Sequence, residues 1–370
     1  MEFRDLKTQY QILKEDIDSA VFKVMSNANF ISGAEVAELE EQLADYVGVK
    51  HCITCGNGTD ALVLALMAMG VKNGEAVFVP DFTFFATGEA PVICGATPIF
   101  VDVDEDTYNI SASDLEKKIK NVIKDGKLIP KAVIAVDLFG QPADYPKIRE
   151  ITKKYDLLLL EDGAQGFGGA IGEKKACSFG DISTTSFFPA KPLGCYGDGG
   201  AVFTDNDEWA EIIRSLRIHG KGQDKYDNIR IGMNSRLDTI QAAILQVKFR
   251  AFKDYELDSV NEIATKYTES LSNVVKTPKV LDGFYSSWAQ YTIQVEKDRD
   301  LFKNKLKENG IPVFIYYSKY LSQQKAFMQN SKNEDKQSNK MLKRVLSLPI
   351  HPYLLGDDIE KVVNIIRGEF

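Results

Sequence analysis

The chain has 370 residues, enough for about two domains. Apolar residues make up 44% of it and charged residues 26%, which is an ordinary composition for a globular protein. The net charge is -8, with both signs scattered along the chain, which argues against a surface that binds nucleic acid or an anionic membrane non-specifically. The first residues contain no apolar segment of a secretory signal, so we expect a cytoplasmic protein.

Five cysteines are scattered through the chain, a pattern that fits reduced thiols. Cys52 and Cys55 form a C-x-x-C pair, but no second pair accompanies them. We therefore predict neither a redox site nor a metal site there.

Apolar runs alternate with amphipathic stretches through most of the chain. Helical patterns come first, at residues 13–30 and 34–46. Strand-like runs follow at Cys52–Thr54, Ala76–Val79, Thr97–Val103, Ala132–Val136, Leu157–Leu160, Thr184–Phe188 and Ala201–Thr204, with amphipathic stretches such as Asp60–Met69, Ser113–Asp125, Tyr145–Tyr155 and Glu208–Arg217 between them. This alternation predicts an α/β fold with a mostly parallel sheet covered on both faces. Such sheets bind ligands beyond the carboxyl ends of their strands.

The pattern changes near residue 250. A long, bent helix is predicted over Asp238–Leu271, followed by Gln290–Val295, a helix near Leu301–Asn309, and Pro312–Tyr317. We therefore predict a large α/β domain over residues 1–250 and a smaller α+β domain over 251–370, with the N-terminal segment free to pack on the smaller one. The polar stretch Gln329–Lys343 indicates an exposed loop or a solvated helix.

A glycine-containing motif, Gly56–Ala61, follows the first strand-like run and opens a helix. Glycine lets the backbone approach a ligand, and the free amides of a helix start attract phosphate. The motif also fits the dinucleotide pattern G-x-G-x-x-A, with Asp81 lying 20 residues beyond Ala61. A phosphate site, an NAD site and a plain turn capped by Thr59 are all compatible with it.

An acidic residue, Asp162, ends the leucine run that begins at Leu157. A carboxylate at the carboxyl end of a buried strand needs a cation or N–H donors to stay ionised. The protonated pyridine nitrogen of pyridoxal phosphate (PLP) is such a partner. The plainer interpretation is that Asp162 caps the turn that follows.

The segment Ser186–Gly200 places Lys191 between Ala190 and Pro192, at the end of another apolar run. A desolvated lysine amine is a nucleophile, and Ser186 offers a hydroxyl to phosphate. Taken alone, Lys191 is better interpreted as a surface lysine in a loop. PLP catalysis, however, needs a phosphate cup, a carboxylate for the ring nitrogen and a Schiff-base lysine, and an NAD enzyme would leave the last two unused.

The chain resembles the DegT/StrS aminotransferases, PLP enzymes that aminate nucleotide-linked ketosugars. The resemblance runs from residue 3 to residue 353. It is carried by the segments Asn57–Ala61, Glu161–Gln165, Ser186–Gly200 and Asn234–Asp238. The last two are similar to the WbpE-type branch, which aminates C3 of a UDP-linked 3-keto-N-acetylglucosaminuronic acid for bacterial surface polysaccharides.

The resemblance implies the PLP-dependent transferase type I (aspartate aminotransferase-like) fold and a set of cofactor contacts. Lys191 would be the Schiff-base residue and proton carrier, and Asp162 would hold the ring nitrogen. The other expected contacts are Gln165 at the phenolic oxygen, Phe84 stacked on the ring, and Gly58, Thr59, Asp60 and Ser186 at the phosphate. Phe84 is otherwise a core residue.

Substrate and partner contacts are implied in the same way. Asn234 would reach the phosphate of a neighbouring subunit, which implies a homodimer with shared active sites. Arg236 would meet the substrate, whose carboxylate suits an arginine fork. A turn residue and a surface ion pair are the plainer interpretations of these two. Tyr316 and Tyr317 would face the sugar, and Tyr316 departs from a histidine common in the family.

The family implies L-glutamate as the amino donor. Amination at C4 of a 4-keto-6-deoxy sugar is the nearest alternative, and an NAD-dependent oxidoreductase is the alternative from another class. A sugar dehydratase of this fold would carry histidine in place of Lys191. A non-catalytic regulator would not need Lys191, Asp162 and Ser186 together.

Overall fold

A seven-stranded sheet forms the centre of the fold. The structure is a computed structural model that describes residues 1–224, 226–327 and 339–369. Its strands are β1 (His51–Cys55), β2 (Glu75–Pro80), β3 (Thr97–Val101), β4 (Ile129–Val136), β5 (Leu158–Asp162), β8 (Ile182–Ser186) and β9 (Gly200–Thr204), and the short strands β6 (Ala170–Ile171) and β7 (Lys174–Lys175) lie outside it. The strand order is β1-β9-β8-β5-β4-β2-β3. Within this sheet β9 is antiparallel to both of its neighbours and the remaining pairs are parallel, which confirms the predicted mostly parallel sheet.

Helices cover both faces of the sheet. Helices α3 (Gly58–Ala68), α4 (Ala86–Ile93) and α7 (Asp207–Leu216) lie on one face, and α2 (Ala34–Val47), α5 (Ala112–Asp125), α6 (Tyr145–Lys154) and α8 (Thr239–Ala251) on the other. Strand β2 shows the consequence, because Val77 and Val79 pack into one core and Ala76 and Phe78 into the other. The middle of β2 is therefore buried on both faces and apolar, and this makes it visible in the sequence as a continuous run.

A nearly continuous helical rod links the central sheet to the C-terminal part of the chain. Helix α8 passes through a π-helical turn at Phe252–Glu256 into α9 (Leu257–Leu271). The predicted long, bent helix is thus confirmed, and the π turn is the irregularity at its middle. Helix α1 (Leu6–Asn27) packs on α8, where Ile17 contacts a cluster with Ile244 and Val247.

A second core fills the C-terminal part. Its elements are α9, β11 (Tyr291–Gln294), α10 (Arg299–Glu308), β12 (Val345–Leu348) and α12 (Gly356–Glu369), while β10 (Phe284–Tyr285) pairs with β6 and α11 covers Asn339–Leu342. The partner of β11 is β12, and Pro312–Tyr317 forms no strand, since only Phe314 bridges to Ser347 within that stretch. The two-domain division near residue 250 stays a prediction.

Two smaller observations complete the fold. Of the predicted polar stretch Gln329–Lys343, residues 329–338 lie outside the described part, and the short helix α11 follows. None of the helices in the described ranges combines the length and apolar character needed to cross a bilayer.

Candidate active site

A cavity of about 440 Å³ opens at the carboxyl end of the central sheet. Binding pockets for small organic ligands typically measure about 300 to 1,000 Å³. Residues just beyond β1, β2, β5 and β8 line it, because these four strands point in the same direction. The position agrees with the general rule for α/β sheets, in which ligands bind beyond the carboxyl ends of the strands.

The N-terminus of α3 forms one end of the cavity. Asn57 caps this helix, and its Oδ1 accepts the amide of Asp60 at 2.8 Å. The amides of the first two helical residues, Gly58 and Thr59, have no acceptor one turn earlier in the helix, and both residues line the cavity. A Cβ on Gly58 would lie 2.7 Å from the Cβ of Ser186, so glycine lets the helix start approach the end of β8. The arrangement suits an anion.

Asp60 differs from its neighbours in the motif. Its side chain turns away from the cavity and accepts a hydrogen bond from the hydroxyl of Ser235 at 2.6 Å. That hydroxyl in turn accepts the amide of Gly56 at 2.9 Å. Asp60 therefore ties the helix start to the segment that follows residue 230, and its predicted phosphate contact stays a prediction.

Asp162 is the last residue of β5 and is 6% exposed. Burial raises the pKa of this carboxyl, and three partners oppose that effect. They are the amide of Ala164 at 3.2 Å, the charge of Lys191, and the hydroxyl of Thr87 at 3.1 Å. A carboxylate in this setting accepts readily from a cationic N–H donor placed in the cavity.

Lys191 lines the same cavity on the connection between β8 and β9. Burial lowers the pKa of its amine, the carboxylate of Asp162 acts in the opposite direction, and the charge of Arg4 lowers it further. A lysine with a lowered pKa holds a larger share of free amine, which is the nucleophilic and basic form.

Arg4 contributes to the site, although no motif in the sequence pointed to it. Its guanidinium donates to the carbonyl of Lys191 at 2.7 Å and to that of Pro192 at 3.3 Å. The N-terminal segment before α1 therefore holds the lysine loop in place from behind. No local pattern points to this contact, because 187 residues separate the two partners.

Gln165 and three aromatic residues also line the cavity. The Oε1 of Gln165 accepts the amide of Phe139 at 2.7 Å, and its Nε2 donates to the hydroxyl of Tyr317 at 3.2 Å. The ring of Phe84 lies 6.4 Å from that of Tyr317 and is 55% exposed. Tyr316 lines the cavity beside Tyr317. The structure thus brings together these predicted residues with Lys191 and Asp162.

Asn234 and Arg236 do not line the cavity of their own chain. Asn234 is exposed and Arg236 half-buried. The segment before them exposes apolar side chains, with Tyr226 87% and Ile231 89% exposed. Contacts of Asn234 and Arg236 with a neighbouring subunit's cavity stay predictions.

Gln290 lines the cavity, and the sequence patterns did not reveal it. Its Oε1 is buried and has no hydrogen-bond partner among the described residues. A buried carbonyl oxygen without a donor costs about 1 to 3 kcal/mol, which a ligand donor would recover. The residue precedes β11, so only the tertiary fold brings it to the cavity.

The structure leaves no role for the residues that fitted an NAD site or a redox site. The two carboxylate oxygens of Asp81 accept the amide and the hydroxyl of Ser322, each at 2.7 Å, so Asp81 is not available to a ribose. Burial raises the pKa of the Cys55 thiol to about 12 and that of Cys52 well above its usual value, which suppresses the reactive thiolate.

These groups fit pyridoxal phosphate. The amides of Gly58 and Thr59 with the Ser186 hydroxyl provide an anion cradle, the buried Asp162 lacks a full counter-charge, and Lys191 has a lowered pKa. An anion cradle, a carboxylate and a basic lysine around one cavity are the donor set that this cofactor needs.

Solved structures resemble this chain over its full length. A DegT DnrJ EryC1 StrS aminotransferase from Brucella abortus matches with a TM-score of 0.97 and 47% identity, covering 100% of this chain and 99% of that one. NtdA from Bacillus subtilis, solved with its cofactor PMP bound, matches with a TM-score of 0.88 and 28% identity, covering 96% of this chain and 81% of that one. The predicted type I fold is confirmed, and so is the cofactor, since PMP is the amine form of PLP.

Curated relatives are similar as well. The UDP-2-acetamido-2-deoxy-3-oxo-D-glucuronate aminotransferase of Pseudomonas aeruginosa is 42% identical, covering 96% of both chains. The UDP-N-acetyl-3-dehydro-alpha-D-glucosamine 3-aminotransferase of Acidithiobacillus ferrooxidans is 38% identical, covering 98% of this chain and 96% of its own. The model of the DegT/DnrJ/EryC1/StrS aminotransferase family matches residues 11–367. With the cavity and its lysine in place, the predicted class of enzyme is confirmed, and the chain belongs to the DegT/DnrJ/EryC1/StrS aminotransferase family.

Proposed function

We propose that the protein transfers an amino group from L-glutamate to C3 of a UDP-linked 3-keto sugar, either an N-acetylhexosamine or its uronic acid. The product would serve bacterial surface-glycan biosynthesis. One observation carries the proposal: Lys191, Asp162 and the start of α3 surround one cavity in a chain that is 42% identical to an aminotransferase named for a 3-oxo UDP-sugar.

The residues of the chain divide the work of holding the cofactor. The amides of Gly58 and Thr59 and the Ser186 hydroxyl would bind its phosphate, and Asp162 would accept from its ring nitrogen. When bound, pyridoxal phosphate supplies an electron sink that stabilises negative charge on the carbon that loses a proton. The hydrogen bonds from Ala164 and Thr87 keep the Asp162 carboxylate directed at one position.

Lys191 moves the proton. With its pKa lowered by burial, its Nζ takes the proton from the α-carbon of the amino donor. In the second half of the cycle the same nitrogen returns a proton to the sugar carbon that receives the amine. Donor and acceptor use the same cavity in turn, so we expect ping-pong kinetics.

Phe84, Gln165, Tyr316 and Tyr317 would orient ring and sugar within the cavity. The hydrogen bond between Gln165 and Tyr317 couples the expected cofactor contact to the expected sugar contact, which supports this division. Phe84 is exposed on one side and leaves a ring face open to a ligand.

A homodimer with shared active sites is part of the proposal. The exposed apolar side chains before Asn234 and Arg236 support it, since exposed aromatic and aliphatic side chains close together mark interfaces. In the dimer Asn234 would approach the partner's phosphate, and Arg236 a carboxylate of the substrate. A cytoplasmic location follows from the nucleotide-sugar substrate and is supported by five cysteines that form no disulfide.

Visible absorbance tests the proposal directly. The purified protein with pyridoxal phosphate should show the yellow band of a lysine-bound cofactor, and L-glutamate should bleach it. A UDP-linked 3-keto sugar should then restore the band, whereas the 4-keto compound should not.

The outcomes separate the alternatives. Restoration by the 4-keto sugar alone would assign amination to C4 of a 4-keto-6-deoxy sugar. A band that L-glutamate leaves unchanged would reject this donor. A protein that shows no band with pyridoxal phosphate would contradict the proposal as a whole.

A further inference from the structure

A second buried carboxyl group, Asp137, lies directly behind the turn that carries Asp162. It follows β4, and its amide donates to the carbonyl of Asp162 at 3.1 Å. A Cβ on Gly166 would lie 2.3 Å from the Oδ2 of Asp137, so the backbone of the turn packs against this carboxyl. Asp137 is 0% exposed and does not line the cavity.

Its neighbour Glu161, also 0% exposed, is fully supplied with donors. The amide of Cys177 donates to its Oε1 at 2.5 Å. The amides of Phe179 and Gly180 donate to its Oε2 at 2.6 and 3.2 Å, and the hydroxyl of Ser183 donates to the same oxygen at 2.8 Å. Burial raises the pKa of Glu161, and the hydrogen bonds from Cys177, Ser183 and Phe179 oppose that effect by stabilising the charged form.

The surroundings of Asp137 are different. Its Oδ1 accepts the amide of Ala143 at 3.0 Å and the hydroxyl of Tyr145 at 2.7 Å. Its Oδ2 meets no donor among the described residues. Glu161 lies on the neighbouring strand β5, opposite Ala135, and its carboxyl acts electrostatically on Asp137. When two buried carboxyls lie on neighbouring strands, one of them is favoured as the neutral acid, and the carboxyl with an oxygen that lacks a donor is the better candidate.

The other groups near Asp137 also favour its protonated form. No lysine or arginine in the described ranges forms an ion pair with either carboxyl. Burial and the charge of Glu161 raise the pKa of Asp137. Burial also raises the pKa values of the Tyr145 hydroxyl and the Cys177 thiol, the other titratable groups next to it, so both are neutral.

We propose that Asp137 is a positioning residue: as a neutral acid it donates a hydrogen bond to Glu161 and so fixes the turn that presents Asp162 and Gln165. Glu161 anchors this turn from the side of residues 177–183, and Asp137 from the side of β4. The positioning role depends on the proposed function, in which Asp162 accepts a hydrogen bond from the ring nitrogen of the cofactor. The protonation state of Asp137 does not.

Counting protons on unfolding tests the protonation state. In urea at neutral pH, unfolded Asp137 ionises, so the wild-type protein should release about one proton per chain more than Asp137→Asn. Asp144→Asn, which removes an aspartate paired with Lys147 at 2.6 Å, is the matched control and should release as many protons as the wild type. Equal counts for the wild type and Asp137→Asn would overturn the proposal.

A second measurement covers the case in which Asp137→Asn does not fold. The infrared spectrum of the wild-type holoenzyme at neutral pH should contain a carboxylic-acid C=O band that persists when the cofactor is saturating. If the folded protein shows no such band, the proposal fails.

Cofactor affinity tests the positioning role without any sugar substrate. Asn keeps a neutral donor toward Glu161, so pyridoxal phosphate should bind Asp137→Asn nearly as tightly as the wild type. Asp137→Ala leaves Glu161 without this donor, and we expect affinity to fall at least about tenfold. Wild-type affinity in Asp137→Ala would refute the positioning role while leaving the proposed function untouched.

Discussion

The two sides of the cavity differ in how their groups are held. On the cofactor side, Asp162 and Gln165 have hydrogen-bond partners within the chain. On the outer side, Phe188 is 52% exposed, and the Oε1 of Gln290 has no partner among the described residues. On the first side, hydrogen bonds within the chain hold these side chains in place, whereas the second side leaves polar and apolar surface free for a ligand. Substitutions on the two sides should therefore affect different measured quantities.

The largest expected effect comes from Lys191→Ala on the cofactor side. Without the Nζ that moves the proton, turnover should fall by about 10³-fold or more, and the yellow band should be lost. Steady-state kinetics and absorbance measure both changes. Lys147→Ala, which removes an exposed lysine, should behave as the wild type. Near-normal turnover in Lys191→Ala would show that the cavity is not the catalytic centre.

Asp162→Asn should come next. The amide keeps the shape of the side chain but carries no charge to hold a protonated ring nitrogen, so kcat should fall by about 10²- to 10³-fold. The yellow band should persist, because Lys191 is intact. Asp125→Asn, at an exposed aspartate beside Lys127, is the control. An unchanged kcat would remove Asp162 from the mechanism.

Arg4→Met probes the support behind the lysine. The charge of Arg4 lowers the pKa of Lys191, and the free amine is the active form, so activity rises as pH increases through that pKa. Removing the charge raises the pKa, and the acidic limb of the kcat profile should move to higher pH. The lost hydrogen bonds should also cost about 2 kcal/mol of stability in thermal or urea denaturation. Arg4→Lys keeps the charge, and its limb should stay in place. An unshifted limb in Arg4→Met would contradict the electrostatic role.

Gln290→Leu should give the smallest effect and the clearest contrast between the two sides. Leucine cannot accept a hydrogen bond from a substrate, so the KM of the sugar or of the donor should rise about tenfold. The affinity for pyridoxal phosphate should not change. Gln42→Leu, on the exposed surface of α2, serves as control. If cofactor affinity falls instead, Gln290 belongs to the cofactor side.

Site residues at or just beyond the ends of strands were the ones that the sequence could predict. Asp162 ends β5, and the leucine run of that strand reveals it without any tertiary information. Ser186 ends β8, which is buried but mostly polar, and Lys191 lies on the loop that follows. The strand predicted at Thr184–Phe188 lies two residues too far along the chain. Strand β8 ends at Ser186, and the apolar Phe187 and Phe188 belong to the lysine loop. Helix α4 has no clear signal either, since it contains Pro91.

Residues that reach the cavity from distant parts of the chain could not be predicted. Arg4 meets Lys191 across 187 positions, and Gln290 arrives through the C-terminal core. Thr87 meets Asp162 across 75 positions. Each is an ordinary polar residue in its local context, and only packing gives it a partner. Asn234 and Arg236 illustrate a further limit, since the cavity of a single chain does not include them.

The position of Lys191 on a connection between paired strands has a thermodynamic consequence. Ser186 at the end of β8 pairs with Gly200 at the start of β9, so the sheet itself closes the loop between them. Within the loop, the amides of Lys191 and Cys195 donate to the carbonyls of Phe188 and Phe187, each at 2.8 Å, so little conformational entropy is left for binding to remove. Calorimetry of cofactor binding should show the modest heat-capacity change of a ligand entering a preformed pocket, and not the large negative change of coupled folding.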